Sequence, residues 1–222
     1  MCGRFKLSRI DKAELARHFG IDAQSIPDYA DEIDNAPGSW RSVITMEGGE
    51  RKWTGMRWGY VATIGGLKKL VFNAQAEKVT TNRVWRGLLH NRCVIPASAF
   101  FEWQKINGKR GGPKYEITVP GHSVFGFAAI YDDRPNPKTG EMERAFWIIT
   151  TGPNSKFAEL HDRQPVILQE RSEYDEWLTS KEPPLHLLRV FPEDKMLITK
   201  VAEPAAKAKK SRSDDMPNLF DQ

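Results

Sequence analysis

Cysteine is scarce in this chain: Cys2 and Cys93 are its only two in 222 residues. Two cysteines make no disulfide framework. With no CxxC pair and no Cys/His cluster, the sequence assigns no metal ligand. Long apolar runs are missing as well. No stretch approaches the eighteen or so residues that cross a bilayer, and the amphipathic, charged KLSRIDKAELARHF near the start is no secretion signal. A strong charge of one sign is also lacking. The 33 Lys and Arg against 29 Asp and Glu leave +4 and a pI near 9.0, which permits a polyanionic partner without requiring one. These absences predict a soluble, cytoplasmic protein in a reducing compartment, with no cofactor and no membrane partner.

Apolar content is sufficient for a core. At 40% hydrophobic residues, residues 2–202 read as one globular domain. After Ala202 the composition changes. EPAAKAKKSRSDDMPNLFDQ is small, charged and broken by proline, cannot bury a core, and reads as a disordered basic tail over 203–222. Seven tryptophans are many for this length; most are expected in the core, some as platforms on which bases stack.

Ser8, with Asp11 three positions on, predicts an N-cap, a helix to Phe19 and a stop at Gly20. Residues 21–40 are rich in Asp and Pro and read as irregular. Then SVITM, KWTGMRW, RCVIP, AFFEW, KYEITV, VFGFAAIY and AFWIITT follow as short runs bounded by turn residues, with a last strand at KMLITKV. Helices are expected over 80–90, near 155–160 and over 171–179. Seven or eight short strands with few helices predict an α+β fold, mainly antiparallel β, barrel-like or a sandwich, with a few flanking helices.

Cys2 stands directly behind the start methionine in MCGRF. Methionine aminopeptidase trims Met1 when the next side chain is small, and cysteine is small enough. The chain would then begin with an α-amine of reference pKa about 7.7–8.0 and a thiol of about 8.5 on adjacent carbons. A useful fraction of each is nucleophilic near neutral pH. Such a 1,2-aminothiol suits two chemistries. It can cut amides as an N-terminal nucleophile, or it can capture an aldehyde as a Schiff base that the thiol closes into a thiazolidine.

Three further residues could serve either chemistry. Asn73 in VFNAQAE follows a strand-like VF and sits at a strand end. Glu102 in AFFEW lies among aromatics; alternation puts Phe101 and Trp103 on one face and Phe100 and Glu102 on the other. A desolvated carboxyl there is expected to have a raised pKa and to act as a general acid/base. His161 in LHDRQPVIL lies on a connection between helix and strand, where a histidine can shuttle protons near neutral pH.

MCGRF, NAPG at 35–38, MRWGY at 56–60, NAQAE at 73–77, RCVIPASAFFEW at 92–103 and LHDRQPVIL at 160–168 occur together in this order. In this the chain closely resembles the SOS-response-associated peptidase (SRAP) family, over about residues 2–201. The resemblance implies the aldehyde chemistry: the processed N-terminal cysteine cross-links to abasic sites in single-stranded DNA through a thiazolidine. It implies Cys2 as nucleophile, Asn73 as the residue positioning the amine and the opened sugar, Glu102 as acid/base, and His161 as an aid to sugar opening and proton transfer. Arg4, Pro37, Gly38, Gln75, Thr150 and Arg163 fall where family members line the DNA channel. Arg4 and Arg163 there suit phosphate clamps. A cysteine peptidase using the same residues and a non-covalent reader of modified DNA are the competing readings.

Two departures stand out. The usual NARAE is NAQAE here, so Gln75 replaces a DNA-contacting arginine. VATIGGLKKL lacks the tryptophan that members carry beyond the WGY segment, which leaves its lysines as candidate phosphate contacts. The partner expected is single-stranded DNA carrying abasic sites, bound by a monomer in the cytoplasm at the nucleoid. In the tail, MPNLF resembles the pentapeptide by which bacterial proteins bind the replication sliding clamp, with Leu219 and Phe220 as anchors.

Overall fold

The first helix begins later than a Ser8 cap predicts. Asp11 is the N-cap, its carboxylate accepting the Glu14 N–H; α1 runs Lys12–Phe19 and ends at Gly20. Ser8 is engaged elsewhere: it is buried, and its N–H donates to Ser98 Oγ at 3.2 Å, tying it to the strand region instead of to the helix.

The computed structural model describes residues 3–8, 10–28, 31–106, 109–136 and 139–202. Among these the chain forms β1 (Phe5–Leu7), α1, β2 (Glu32–Asn35), β3 (Trp40–Glu47), β4 (Glu50–Trp58), β5 (Tyr60–Ile64), β6 (Leu67–Val71) and β7 (Asn73–Gln75). It continues through α2 (Ala76–Val79), α3 (Arg83–Leu88), β8 (Arg92–Ala97), β9 (Ala99–Ile106), β10 (Lys109–Thr118), β11 (Phe125–Pro135) and β12 (Met142–Thr151). Last come α4 (Ser155–Ala158), β13 (Gln164–Pro165), β14 (Ile167–Leu168), α5 (Arg171–Thr179) and β15 (Leu197–Lys200). Every run expected to be a strand is one. The seven or eight foreseen become fifteen, because β1, β2, β5, β6, β7, β13 and β14 were not foreseen.

Five strands close on themselves. β12 pairs with β4, β4 with β3, β3 with β8, β8 with β11, and β11 returns to β12. The closure needs one parallel pairing, β4 with β12, so the barrel is mixed while the fold stays mainly antiparallel. A second, antiparallel sheet runs β15-β10-β9-β1-β2. β5 and β6 form a separate two-stranded ribbon closed by the two-residue Gly65–Gly66 loop.

Period-two alternation along the barrel strands sorts the core into two parts. Val94, Ala128 and Ile130 belong with Leu15 and Phe19 of α1 and Tyr174 and Trp177 of α5. Cys93, Ile95, Phe125 and Phe127 belong with Phe5, Trp58 and Phe100 on the face turned away from those helices. Phe127 meets Phe5 and Phe100 edge-on, with ring centroids 5.8 Å apart in both pairs. Each side chain buried to this degree contributes about 1.5–3 kcal/mol. Trp58, Trp147 and Trp177 are buried, while Trp53 and Trp85 cover the helix-side core.

Two local devices hold the frame. Gly59, at φ 85°, bends the chain out of β4; a Cβ there would lie 2.6 Å from Val71 O, so only glycine fits. The buried Arg92 donates to the carbonyls of Leu89, Trp177 and Ser180, satisfying the C-terminal end of α5 with a charge.

Candidate active site

Pairing of β1 with β9 sets the position of the chain's start. Phe5 lies opposite Phe100, and the Phe101 N–H donates to Arg4 O at 2.9 Å. Gly3 and Arg4 are thereby fixed beside Glu102, and together with Trp103 and Gly111 they line a cavity of about 360 Å³. Glu102 is only 1% exposed, the desolvated setting that a general acid/base at neutral pH requires. The expected alternation along β9 is present. Phe101 and Trp103 share a face under one cation, Lys114 Nζ, 4.1 Å and 5.2 Å from their ring centroids. Cys2 lies outside the described residues.

His161 lies on a loop tied to β9 through Asp162 and Lys105. Asn154 caps α4 by accepting the Phe157 N–H at 2.7 Å, and the His161 N–H donates to Phe157 O at 3.0 Å, which ends the turn with the ring buried. His161 Nδ1 accepts the Arg163 N–H at 3.1 Å and lies 2.7 Å from Asp162 Oδ1. Asp162 in turn takes Lys105 Nζ of β9 at 3.2 Å. Partial burial pushes the Asp162 carboxyl up, but the Lys105 hydrogen bond and the neighbouring His161 outweigh it and hold the group below its ordinary range. Lys105 follows Glu102 by three positions on β9, so one strand carries the buried acid and the anchor of the histidine loop.

Asn73 and Gln75 enter through β7, which runs parallel to β12 with Asn73 opposite Ile148 and Gln75 opposite Thr150. Asn73 is buried. Both line a second cavity of about 490 Å³ walled by Tyr60, Trp85, Arg134 and Trp147. Thr150 faces Pro165 on its other edge, which brings Arg163 into reach: its guanidinium donates to Thr150 O and, through both nitrogens at 2.9 Å, to the Glu77 carboxylate. That hydrogen-bonded pair lowers the Glu77 pKa. Arg163, expected as a phosphate clamp, is thus occupied by a carboxylate. Arg4 is less committed, with Nε 3.3 Å from the exposed Asp34 and Nη1 donating to Gly3 O at 2.9 Å.

Pro37 and Gly38 form the middle of a turn closed by the Ser39 N–H on Ala36 O. Gly38 has φ 91°, the position after proline that a type II turn reserves for glycine. The Gly38 carbonyl accepts from Arg57 Nη1 at 2.9 Å, and Arg57 is itself ion-paired to Glu143. The turn is therefore rigid and faces the β5–β6 ribbon, with Leu70 Cδ2 3.7 Å from where a Gly38 Cβ would stand.

The SOS response associated peptidase (SRAP) family profile matches residues 1–207. The chain belongs to the SRAP family. It is 34% identical over 188 residues to abasic site processing protein YoqW of Bacillus subtilis, covering 82% of this chain and 81% of that protein. It is also 28% identical over 161 residues to abasic site processing protein HMCES of Gallus gallus, covering 61% of this chain and 47% of that one. A crystal structure of a Bacteroides thetaiotaomicron protein shares the fold with a TM-score of 0.73 at 24% identity, over 90% of this chain and 92% of the other.

Within this SRAP domain, four functional candidates escaped the sequence: Trp103, Lys105, Asp162 and Glu77. Asp162 was within reach, because HDR sets an acid beside His161. Glu77 and Lys105 gain their meaning only from partners far along the chain. Among the described residues, no group of three His, Cys, Asp or Glu side chains could hold a metal ion, and no helix is long and apolar enough to cross a membrane. Leu219 and Phe220 lie outside the described residues.

Proposed function

We propose that this SRAP protein captures abasic sites in single-stranded DNA as a covalent thiazolidine on Cys2. The observation that carries this reading is the buried Glu102 in a cavity also lined by Gly3, the residue bonded to Cys2. Relatives named abasic site processing proteins support the choice of substrate.

In this reading, removal of Met1 frees the α-amine of Cys2, which adds to C1′ of the ring-opened sugar. Glu102 protonates the departing hydroxyl, and loss of water leaves the protonated Schiff base. Addition of Sγ to its carbon closes the ring; the nitrogen keeps its proton and the thiol proton passes to the Glu102 carboxylate. His161 gives a proton to the sugar ring oxygen as it opens, and Asn73 orients the amine and the opened sugar. Arg4, Gln75, Thr150 and the Pro37–Gly38 turn guide the strand, and Arg163 acts through its hold on Glu77 and Thr150. Trp103, which lines the same cavity, is an additional surface on which a base could stack.

The test is intact-mass analysis after incubation with an abasic single-stranded oligonucleotide. A covalent adduct that resists heat in the wild type and is lost in Cys2→Ala supports the reading. Reversible binding untouched by Cys2→Ala, or cleavage of an added peptide with no DNA adduct, overturns it in favour of a reader or a peptidase.

A further inference from the structure

We propose that Asp162, held by Lys105, is a positioning residue that selects which nitrogen of His161 carries the transferable proton. This rests on the reading of His161 as proton donor to the abasic sugar. Two groups compete for the same ring atom. The Arg163 N–H, at 3.1 Å, needs a lone pair on Nδ1. The Asp162 carboxylate, at 2.7 Å, needs a proton there. Neither state satisfies both partners, so a change of protonation at His161 exchanges one partner for the other.

With the ring neutral and Nδ1 paired to the Arg163 N–H, the proton sits on Nε2. When the ring gains a second proton, Nδ1–H turns to Asp162. The imidazolium can then release its Nε2 proton to the sugar ring oxygen while Nδ1–H stays on the carboxylate. The ring ends neutral and the oxygen ends as a hydroxyl. Without an acceptor at Nδ1, releasing the Nε2 proton would leave a proton on Nδ1 facing the Arg163 N–H, donor against donor.

The placement of Lys105 makes this adjustable. It bonds Asp162 at 3.2 Å across 57 positions of sequence, and its ammonium opposes the effect of the carboxylate on His161. The loop's other charged pair is Arg163–Glu77, whose members neutralise each other, so the Asp162–Lys105 couple is the part that mutation can vary alone.

The experiment is an NMR titration of the His161 ring nitrogens from pH 5 to 9 in wild type, Asp162→Asn and Lys105→Met. It is paired with single-turnover adduct formation at saturating abasic oligonucleotide. Asp162→Asn is expected to lower the His161 midpoint by about one pH unit, to move the neutral ring toward the Nε2–H form, and to slow adduct formation about tenfold or more, with DNA affinity kept. Lys105→Met is expected to move the midpoint the opposite way, by less because the pair is exposed. A purely structural role moves neither midpoint in opposite senses. Unchanged midpoints, or shifts of the same sign in both variants, overturn the proposal even where adduct forms normally. If the wild type forms no adduct, the capture reading fails, and the titration still decides whether Asp162 sets the state of the ring.

Discussion

Arg163 holds both carboxylate oxygens of Glu77 at 2.9 Å, across 86 positions of sequence. A guanidinium so engaged has little left for a phosphate. With Gln75 uncharged as well, the capture reading leaves few free positive groups here to hold the DNA strand. Glu77→Gln is expected to free Arg163, tighten binding to single-stranded DNA and steepen the salt dependence by about 0.7 in log K against log salt, one phosphate's worth. Gln75→Arg is expected to act the same way. Fluorescence polarisation from low to moderate salt measures both. An unchanged slope in Glu77→Gln would mean that Arg163 keeps its place on Thr150 regardless.

Glu102 is buried on β9 beside the start of the chain. Glu102→Gln keeps shape and hydrogen bonding but cannot exchange a proton. Adduct formation is expected to slow by about 10²-fold or more, with DNA affinity little changed. Single-turnover kinetics beside polarisation separates the two. A variant that reacts at the wild-type rate across neutral pH reduces Glu102 to a buried strand residue.

The two cysteines make an internal control. Cys93 is fully buried in β8, and burial pushes its thiol well above the ordinary range, so it stays protonated and inert. Cys93→Ser is expected to cross-link normally while losing about 1–3 kcal/mol of stability by burying a hydroxyl. Cys2→Ser is expected to lose the heat-stable adduct but to keep a Schiff base trapped by borohydride, since the amine remains. A heat-stable adduct at wild-type yield in Cys2→Ser would refute the thiazolidine.

Legibility followed the source of each element's stability. β8, β9, β11 and β12 could be read because each carries an unbroken run of buried, mostly apolar residues. The β5–β6 ribbon could not: from Thr63 to Leu70 every residue is exposed, so no apolar period marks it. β1, β7, β13 and β14 are two or three residues long and exist because a neighbouring strand pairs with them. The site divided along the same line. Glu102 stood out as an acid among aromatics and His161 as a histidine on a turn, both local signals. The Lys105–Asp162 and Arg163–Glu77 pairs join distant segments, and no spacing announces them.

Stability should also carry a pH signature remote from the cavity. His18 of α1 contacts the Tyr174 hydroxyl of α5 through Nε2 at 2.8 Å, and that hydroxyl donates to Leu168 O at 2.9 Å. Burial first, then the neighbouring His122, lowers the His18 pKa, with Glu170 and Glu14 pulling weakly the other way. A histidine lowered on folding prefers to fold neutral. Its contribution is therefore complete above the unfolded value of about 6.5 and declines as pH falls through it toward the folded value, because the unfolded chain then binds the proton more readily. His18→Gln can still donate to Tyr174 but cannot ionise. Between pH 7 and 5 the melting temperature of the wild type is expected to fall more steeply than that of His18→Gln, the carboxylates contributing equally to both. Parallel curves from calorimetry over that range would show that His18 titrates alike in both states, and that the α1–α5 contact is insensitive to its charge.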